Sequence, residues 1–584
     1  MALAGLVELG GGLGVSGGAV LLFVLLVVAL AVAALRRRVP RGTVLEMDLS
    51  RPPAAEQERP PALLRGNRRL TLREVVEALE RAADDPRIAG VVAHLDRPVR
   101  GLADAEELHT AVGLVRQAGK RTVVHARSLG GLSSGTAAYH VASAFEEVVL
   151  QPSGTVGVVG LALEPSFVGE ALDRLGVLLQ VERRWEYKSA AERFTERRLS
   201  PPAREAFERL LASQLDRELD AIATGRGLER ERVQAVIDGG PLTAEGAVEA
   251  GLVDALGYRD EAVDRACAGR QPSDRRLLGL ERHRARRRPR LGRRAPAVAV
   301  VSCTGLITAG RGRLPLAATA SADAVGRALG RARQERDIRA IVLRVDSRGG
   351  SYIASDAIWR EVVRARDAGT PVVASMGNVA ASGGYFVAAA ADRIVAQPTT
   401  ITGSIGVIAG KAVLEELQSR LGITTDAVRA GEEALIGSSA RPWNERQRGI
   451  VADWMDRAYE DFTGKVAAGR GLSPERVDEV ARGRIWSGAD AARNGLVDRL
   501  GGHREALEEA RELLGLAGGA PLRTVALPST PSLRARVRGE DGGERGDGWS
   551  MLGAALPHAG PYAELLALAG HDDILALADV PGLR

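Results

Sequence analysis

The stretch Arg87-Ile-Ala-Gly-Val-Val-Ala-His-Leu-Asp96 returns later in the chain as Asp337-Ile-Arg-Ala-Ile-Val-Leu-Arg-Val-Asp346. Each is a short apolar run that ends in aspartate, a pattern typical of a buried parallel strand. Two further pairs follow in the same order at nearly the same offset: Gly157-Val-Val-Gly160 with Gly403-Ser-Ile-Gly406, and Gly251-Leu-Val-Asp254 with Gly495-Leu-Val-Asp498. Three ordered echoes indicate a tandem duplication.

Both copies alternate β-branched runs with helical periodicity. The runs are Val91-Val92 and Val123-Val124 in the first copy, and Ile341-Val-Leu343 and Val372-Val373 in the second. Such alternation predicts parallel sheets wrapped by helices, and therefore an α/β fold with two domains. The predicted division is a transmembrane anchor at 1–41, a first repeat at 42–280, an Arg-rich linker at 281–295, a second repeat at 296–525, and a linker with a helical tail at 526–584.

Composition and charge exclude several classes of protein. The 584 residues carry 79 basic and 74 acidic side chains, a net charge of +5 that argues against a general nucleic-acid binder. Cys267 and Cys303 have no metal-site or disulfide spacing, so we expect no metal and no cofactor. Eight arginines lie in 282–294. A solvated linker is the first interpretation of that run, and contact with anionic lipid or with nucleic acid are the alternatives.

An apolar segment near the N-terminus predicts a membrane anchor. Residues 13–35 carry no charge, and 19–35 contain only Ala, Val, Leu and Phe, which is long enough to cross a bilayer. A cleaved signal peptide is the alternative, although only Glu8 precedes the segment where such a peptide has positive charge. The arginines that follow argue for the cytoplasmic side by the positive-inside rule: Arg36, Arg37, Arg38 and Arg41.

The two copies differ where strands end. The second copy has Asp346-Ser-Arg-Gly349-Gly350 where the first has Asp96-Arg-Pro-Val99-Arg100, and glycines there can turn backbone N–H groups toward an anion. At the next strand end the second copy reads Ala380-Ala-Ser382-Gly-Gly384, against Ser134-Gly-Thr136-Ala-Ala138. A serine at such a strand-to-helix turn suits nucleophilic attack. An N-cap serine in a tight turn is the alternative interpretation.

A nucleophilic serine needs a base, and no histidine lies between His283 and His503. His125 or His140 of the first copy remains an alternative. The chain has only four lysines, and a buried lysine can lose its proton whereas arginine cannot. Lys188 of the first copy has no counterpart in the second; a solvated surface charge is its alternative interpretation. The first copy lacks the serine and the second lacks the lysine, which predicts one composite site.

These motifs together resemble the bacterial signal peptide peptidase A family in its long, tandem-duplicated form, over about residues 42 to 520. The resemblance rests on Tyr187–Phe194 with Ser200-Pro201, Val372–Gly377 leading into Ala381–Tyr385, Thr402–Gly406, and Gly495–Asp498. It implies a Ser/Lys peptidase whose site residues are listed by role: nucleophile Ser382, general base Lys188, lysine-orienting Ser404, and an oxyanion hole from Gly383 with Gly349 and Gly350. Arg348 and Arg193 stand where the family usually has proline.

The resemblance also implies fold, substrate and partners. We expect two tandem domains like those of crotonase and caseinolytic protease after one transmembrane helix, and hydrolysis of remnant signal peptides and other apolar peptides. It implies a homo-oligomer, with a tetramer as one candidate, in contact with the lipid membrane and not with nucleic acid. The peptidase domains of an inner-membrane protein of this family lie outside the cytoplasm, in conflict with the arginines. A non-catalytic scaffold and acyl-CoA chemistry are the rival functions.

Overall fold

The computed structural model describes residues 39–54, 69–96, 99–131, 134–269, 271–285, 295–310, 319–527 and 575–577. They form two α/β halves in chain order, each a mostly parallel sheet covered by helices, and a small third sheet that joins the halves. An apolar core fills the space between sheet and helices in each half. The predicted mixed α/β fold is confirmed.

The first half contains a six-stranded parallel sheet in the order β8-β4-β3-β2-β1-β9. The strands of this half are β1 (Thr43–Leu49), β2 (Ile88–Leu95), β3 (Arg121–Ala126), β4 (Glu147–Leu150), β5 (Thr155–Val156), β6 (Leu178–Arg183), β7 (Leu242–Thr243), β8 (Ala255–Leu256) and β9 (Leu277–Gly279). The helices are α1 (Leu72–Asp84), α2 (Leu102–Gln117), α3 (Thr136–Ser143), α4 (Gly169–Leu175), α5 (Glu192–Thr195), α6 (Pro201–Arg226), α7 (Arg230–Gly239), α8 (Ala244–Glu249), α9 (Arg259–Ala266) and α10 (Leu280–Ala285).

The second half contains an eight-stranded sheet with the path β19-β17-β15-β13-β10-β21; beside this path β16 pairs with β15, and β20 pairs with β16. The strands are β10 (Ala297–Thr304), β11 (Leu306–Thr308), β12 (Thr319–Ser321), β13 (Ile338–Ser347), β14 (Gly349–Ser351), β15 (Val372–Ala381), β16 (Arg393–Ala396), β17 (Ile401–Gly403), β18 (Ile408–Val413), β19 (Ile485–Ser487), β20 (Arg499–Leu500), β21 (Arg523–Leu527) and β22 (Leu575–Leu577). The helices are α11 (Ala322–Gln334), α12 (Tyr352–Asp367), α13 (Gly383–Ala388), α14 (Glu415–Arg420), α15 (Glu445–Arg470), α16 (Pro474–Val480), α17 (Gly488–Arg493) and α18 (His503–Leu513).

The duplication extends to backbone irregularities. The pairing of β1 with β2 shifts register directly after Thr43, and the pairing of β10 with β13 shifts directly after Ala297. A buried tyrosine hydroxyl repeats as well, since Tyr139 donates to Leu252 O at 2.7 Å and Tyr385 to Leu496 O at 2.9 Å. Helices α6 and α15 are both 26 residues long and both end at a glycine in the left-handed region. The repeat is therefore one supersecondary unit used twice.

The halves also meet through polar side chains. Arg344 Nη2 of the second half lies 2.5 Å from Glu107 Oε1 of the first; the Glu107 side chain is buried and that of Arg344 is only 12% exposed. Glu106 accepts from the backbone N–H of Thr399 at 3.1 Å and from its hydroxyl at 2.6 Å. Breaking one partner of a buried pair costs about 3–5 kcal/mol, so contacts of this kind fix how the halves dock.

The membrane prediction needs correction. Among the described residues, no helix has both the length and the apolar character that a bilayer crossing requires. The predicted span, residues 13–35, lies outside the described residues, as do Arg36, Arg37 and Arg38. The structure therefore does not support the predicted single-pass protein of the inner membrane.

Two predicted boundaries also differ from the structure. Helix α10 runs into the segment predicted as a linker because Leu280 is buried in the first core and Arg284 Nη2 pairs with Glu74 Oε1 at 2.8 Å. Residues 286–294 lie outside the described part. In the predicted helical tail, the described residues form strand β22 instead, because its backbone finds partners in the small sheet.

Candidate active site

Ser382 lies between strand β15 and helix α13, at the turn predicted for the nucleophile. Its backbone has φ 55° and ψ −117°, a strained conformation for a residue with a Cβ. The turn is held because the Ser382 N–H donates to Gly403 O at 2.8 Å. Glycine is needed at position 384, where a Cβ would lie 2.6 Å from Ser347 O. The sequence Ser-Gly-Gly therefore builds a tight turn with the hydroxyl inside it.

Lys188 reaches the second half because two strands from different halves pair. Strand β6 runs antiparallel to β18, from Leu178 opposite Val413 to Arg183 opposite Ile408. The chain then continues along the second half, where Arg184 N donates to Val407 O at 3.2 Å. The following loop brings the Lys188 side chain into the interior, where it is fully buried.

The lysine and the serine meet there. Lys188 Nζ lies 2.7 Å from Ser382 Oγ, 2.9 Å from Ser404 O and 3.1 Å from Ser404 Oγ. Ser382 Oγ also lies 3.3 Å from Gly406 O. A Cβ at Gly406 would come within 3.2 Å of Lys188 Cδ, so a small residue is needed beside the lysine stem. The structure thus brings together three of the predicted residues from two halves.

Burial sets the electrostatics of this pair. Loss of hydration holds the pKa of the Lys188 ammonium well below its usual range. Its hydrogen-bond partners are hydroxyl and carbonyl oxygens, and none of them is a carboxylate that would favour the charged form. A neutral amine beside a serine hydroxyl can accept the serine proton.

The glycines predicted for the oxyanion hole have different surroundings. Gly383 is the first residue of α13, where a backbone N–H has no partner within the helix. The Gly349 N–H donates to Ser347 Oγ at 3.1 Å. Gly350 packs against β11, and a Cβ there would lie 2.1 Å from Ile307 O. The three residues border the serine turn, with Gly383 directly after the nucleophile.

The alternative residues of the first half are engaged elsewhere. Thr136, which corresponds to Ser382, donates its hydroxyl to Gly160 O at 3.0 Å. His140 Nδ1 lies 2.9 Å from Glu218 Oε2, and the His125 ring packs edge-on against His94 with centroids 6.1 Å apart. The hydroxyl of Ser382 has Lys188 and Gly406 as its hydrogen-bond partners in the described structure. The histidine alternative therefore has no geometric support.

The model of Peptidase family S49 matches this chain twice, over residues 115–271 and 364–517. The matched segments fall in the two halves and cover more than half of the chain. The chain belongs to peptidase family S49.

Relatives named as proteases align along most of this peptidase. It is 31% identical to "Serine protease SPPA, chloroplastic" of Arabidopsis thaliana, over 85% of this chain and 73% of the relative. It is 30% identical to "Protease 4" of Haemophilus influenzae, over 76% of this chain and 74% of the relative. It is 32% identical to "Protease 4" of Salmonella typhi, over 76% of this chain and 72% of the relative. A solved structure of a ClpP1 mutant from Listeria monocytogenes matches 36% of this chain and 94% of its own at 18% identity, with a TM-score of 0.24. This S49 peptidase is a serine endopeptidase of the long signal peptide peptidase A type.

Sequence reasoning missed a segment of the second half that holds the lysine loop. Gly483 has φ 81°, and a Cβ there would lie 2.5 Å from Lys188 N, so the two backbones touch. On either side, Arg482 stacks 4.6 Å over the ring of Trp185 and Arg484 stacks 5.0 Å over that of Tyr187. Cation–π contacts of this kind contribute about 0.5–2 kcal/mol each. We call residues 482–484 the lysine clamp.

A buried carboxylate, that of Glu192, connects the two ends of the loop 184–200 that carries Lys188. Glu192 accepts from the Ser200 N–H at 3.1 Å, from the Ser200 hydroxyl at 2.7 Å and from Arg183 Nη1 at 2.7 Å. Glu192 lies within the motif that resembles the family, but its type alone gave no reason to assign it a role. It ties the start of α6 to the end of β6 and so fixes both ends of the loop that carries Lys188.

Proposed function

We propose that this S49 peptidase cleaves apolar peptides, remnant signal peptides among them, with Ser382 as nucleophile and Lys188 as general base. The observation that carries the proposal is the 2.7 Å separation of Lys188 Nζ and Ser382 Oγ in a fully buried site. A neutral amine has two N–H bonds and one lone pair. The two Ser404 oxygens accept the N–H bonds, which leaves the lone pair for the serine proton.

The proposed reaction follows the acyl-enzyme route. Ser382 Oγ attacks the scissile carbonyl carbon while its proton passes to Lys188 Nζ, and the Gly383 N–H donates to the oxyanion. The Lys188 ammonium then protonates the leaving amine as the C–N bond breaks. Water attacks the acyl-enzyme with Lys188 again as the base, which releases the acid and restores the hydroxyl. Ser404 stabilises the transient ammonium through its two oxygens.

Apolar substrates fit the surroundings of the dyad. Ile307 lies opposite Gly350, and Ile408 lies two residues after Gly406; both are buried apolar residues. An extended peptide that pairs with strand edges is bound through its backbone, and apolar pockets then select its side chains. The resemblance to signal peptide peptidase A supports the same substrate class.

The test is hydrolysis of a synthetic signal peptide by wild type, Ser382→Ala and Lys188→Met. Methionine keeps most of the lysine volume and removes the base. Each substitution should lower kcat/KM at least about 10³-fold, because the dyad acts as a unit. Lys120→Ala is the matched control, since Lys120 Nζ donates to the carbonyls of Ala82 and Asp85 in the first half. This substitution should leave kcat/KM unchanged. Activity that survives in either dyad variant would refute the roles, and a folded but inactive wild type would favour a scaffold.

The predicted homo-oligomer stays a prediction. Exposed apolar side chains in residues 175–178 and 421–428, close in sequence to β6 and β18, support it. Exposed apolar surfaces of this kind mark contacts between proteins. The exposed side chains are those of Leu175, Leu178, Leu421, Ile423 and Val428.

A further inference from the structure

Strand β22 lies in the middle of the small sheet, far along the chain from its neighbours. The order of that sheet is β12-β11-β14-β22-β18-β6. On one side β22 runs antiparallel to β14, with Gly350 opposite Ala576; on the other, Leu575 lies opposite Ile408 of β18. Residues 528–574, which connect it to β21, lie outside the described part.

The neighbours of β22 are the segments that surround the candidate nucleophile. Strand β14 contains Gly349 and Gly350, the two glycines beside the serine turn. Strand β18 begins two residues after Gly406, whose carbonyl lies 3.3 Å from Ser382 Oγ. Cα atoms of β22 also come within 8 Å of helix α13, which starts directly after the serine. The strand therefore lies along the site.

The slot that β22 fills has the form of a peptide-binding groove. Strands β14 and β18 are not paired with each other, and β22 hydrogen-bonds to both. A single extended segment between two strand edges satisfies backbone groups on both sides, which is the mode by which extended peptides add to sheets. Leu575-Ala-Leu577 is also apolar, like the substrates proposed above.

We propose that the segment Leu575–Leu577 is an intramolecular ligand of the substrate groove and competes with peptide substrates for it. The inference rests on the proposed function and adds an occupant of the same site. A tethered ligand acts at an effective concentration that reaches the millimolar range, so even weak pairing occupies much of the groove. A competitor of this kind raises the apparent KM and leaves kcat unchanged.

Full-length Ala576→Pro tests the competition, because proline removes the backbone N–H and is excluded from a strand paired on both sides. With an apolar peptide substrate, the KM should fall at least about threefold while kcat stays within about twofold. Ala563→Pro, in the part of the chain outside the described residues, is the matched control and should keep the wild-type KM. An unchanged KM in Ala576→Pro, or an equal fall in the control, would overturn the inference.

A binding measurement keeps the inference separate from catalysis. The probe is a fluorescent synthetic peptide with the sequence of residues 571–580, measured by anisotropy against Ser382→Ala and the double variant Ser382→Ala/Ala576→Pro. The double variant should bind at least about threefold more tightly, at every protein concentration. Equal affinities, or a difference that depends on protein concentration, would contradict an intramolecular ligand. Tighter binding without any hydrolysis by the wild type would refute the proposed function and leave this inference standing.

Discussion

At the scale of single residues, the proposed site depends on an amine whose pKa is lowered by burial. Lys188 has no carboxylate among the partners of its Nζ atom, so desolvation acts on it without compensation. Arginine is the common cation of this chain, but its guanidinium stays protonated even when it is buried. Position 188 therefore requires a basic side chain that can lose its proton, which arginine cannot do.

The first prediction concerns pH. Lys188 must be unprotonated to act as a base, so kcat/KM should fall as pH falls through its pKa in the free enzyme and be level above it. Because burial lowers that pKa, the rising limb should lie well below the ordinary lysine value of about 10.4. The measurement is a profile of kcat/KM against pH with a neutral peptide substrate. A limb that coincides with ordinary lysine titration would contradict the assigned base.

The sequence predicts both members of the dyad because their losses in the two copies are complementary. Ser382 faces Thr136 in the repeat, and Lys188 has no counterpart, so comparing the copies singles out each one. Gly483 escapes such reasoning. Its role is the close approach of its backbone to that of Lys188, a contact between residues far apart in the chain, and no local pattern records it.

At the scale of elements, the lysine clamp positions the loop from the first half. Arg482 and Gly483 both have positive φ, at 55° and 81°, and the two flanking arginines stack on aromatic rings of the loop. Backbone strain of this kind persists only where the surroundings hold it in place. The lysine clamp therefore adopts a strained backbone at Arg482 and holds the loop that carries Lys188 in place.

A second prediction follows for Gly483→Ala. The added Cβ would meet Lys188 N at 2.5 Å, so the loop must shift and the distance from Nζ to Ser382 Oγ must change. A displacement of about 1 Å in a catalytic group can cost about 10²-fold in rate. We expect kcat to fall at least about tenfold, measured by peptide hydrolysis.

Gly471→Ala is the control for strain without contact. Gly471 ends α15 with φ 62°, and a Cβ there would have nothing within 4 Å. Its substitution should lower the free energy of unfolding by about 1–2 kcal/mol and leave kcat close to that of the wild type. If both variants lost activity equally, backbone strain alone would explain the effect and the clamp would have no positioning role.

Elements differ in how far the sequence reveals them. Strands β2, β3, β13 and β15 are predictable because each contains a β-branched run, and the duplication shows both pairs of runs. The pairing of β6 with β18 and the insertion of β22 cannot be predicted from the sequence, since each depends on partners from a distant part of the chain. The helix predicted for the tail is replaced at Leu575–Leu577 by a strand, because those residues pair with β14 and β18.

At the scale of the whole molecule, two similar halves make one site. The lysine comes from the first half and the serine from the second, and both belong to the same chain in the structure. The buried contacts between the halves, such as Arg344 with Glu107, hold the two contributions in register. Each half keeps the common fold, and under the proposed mechanism each supplies the group that the other lacks.

The third prediction tests whether the site forms within one chain. Ser382→Ala and Lys188→Met are each expected to be inactive, and a mixture of the two should remain inactive, since neither chain contains both groups. The mixture is assayed directly and after joint unfolding and refolding, with wild type mixed with each variant as the control. Recovery of activity in the mixture of variants would mean that the lysine of one chain serves the serine of another.

The order of the parts along the chain has a consequence for biosynthesis. A ribosome makes the lysine first, the serine 194 residues later, and the lysine clamp later still. A nascent chain therefore holds a lysine without a nucleophile, and then a serine whose base is not yet fixed. Under the proposed mechanism, hydrolysis can begin only after nearly all of both halves has been translated and has docked. Under the proposed mechanism, the split of the dyad across the duplication would keep a half-made protease inactive, a task that many proteases leave to a removable pro-segment.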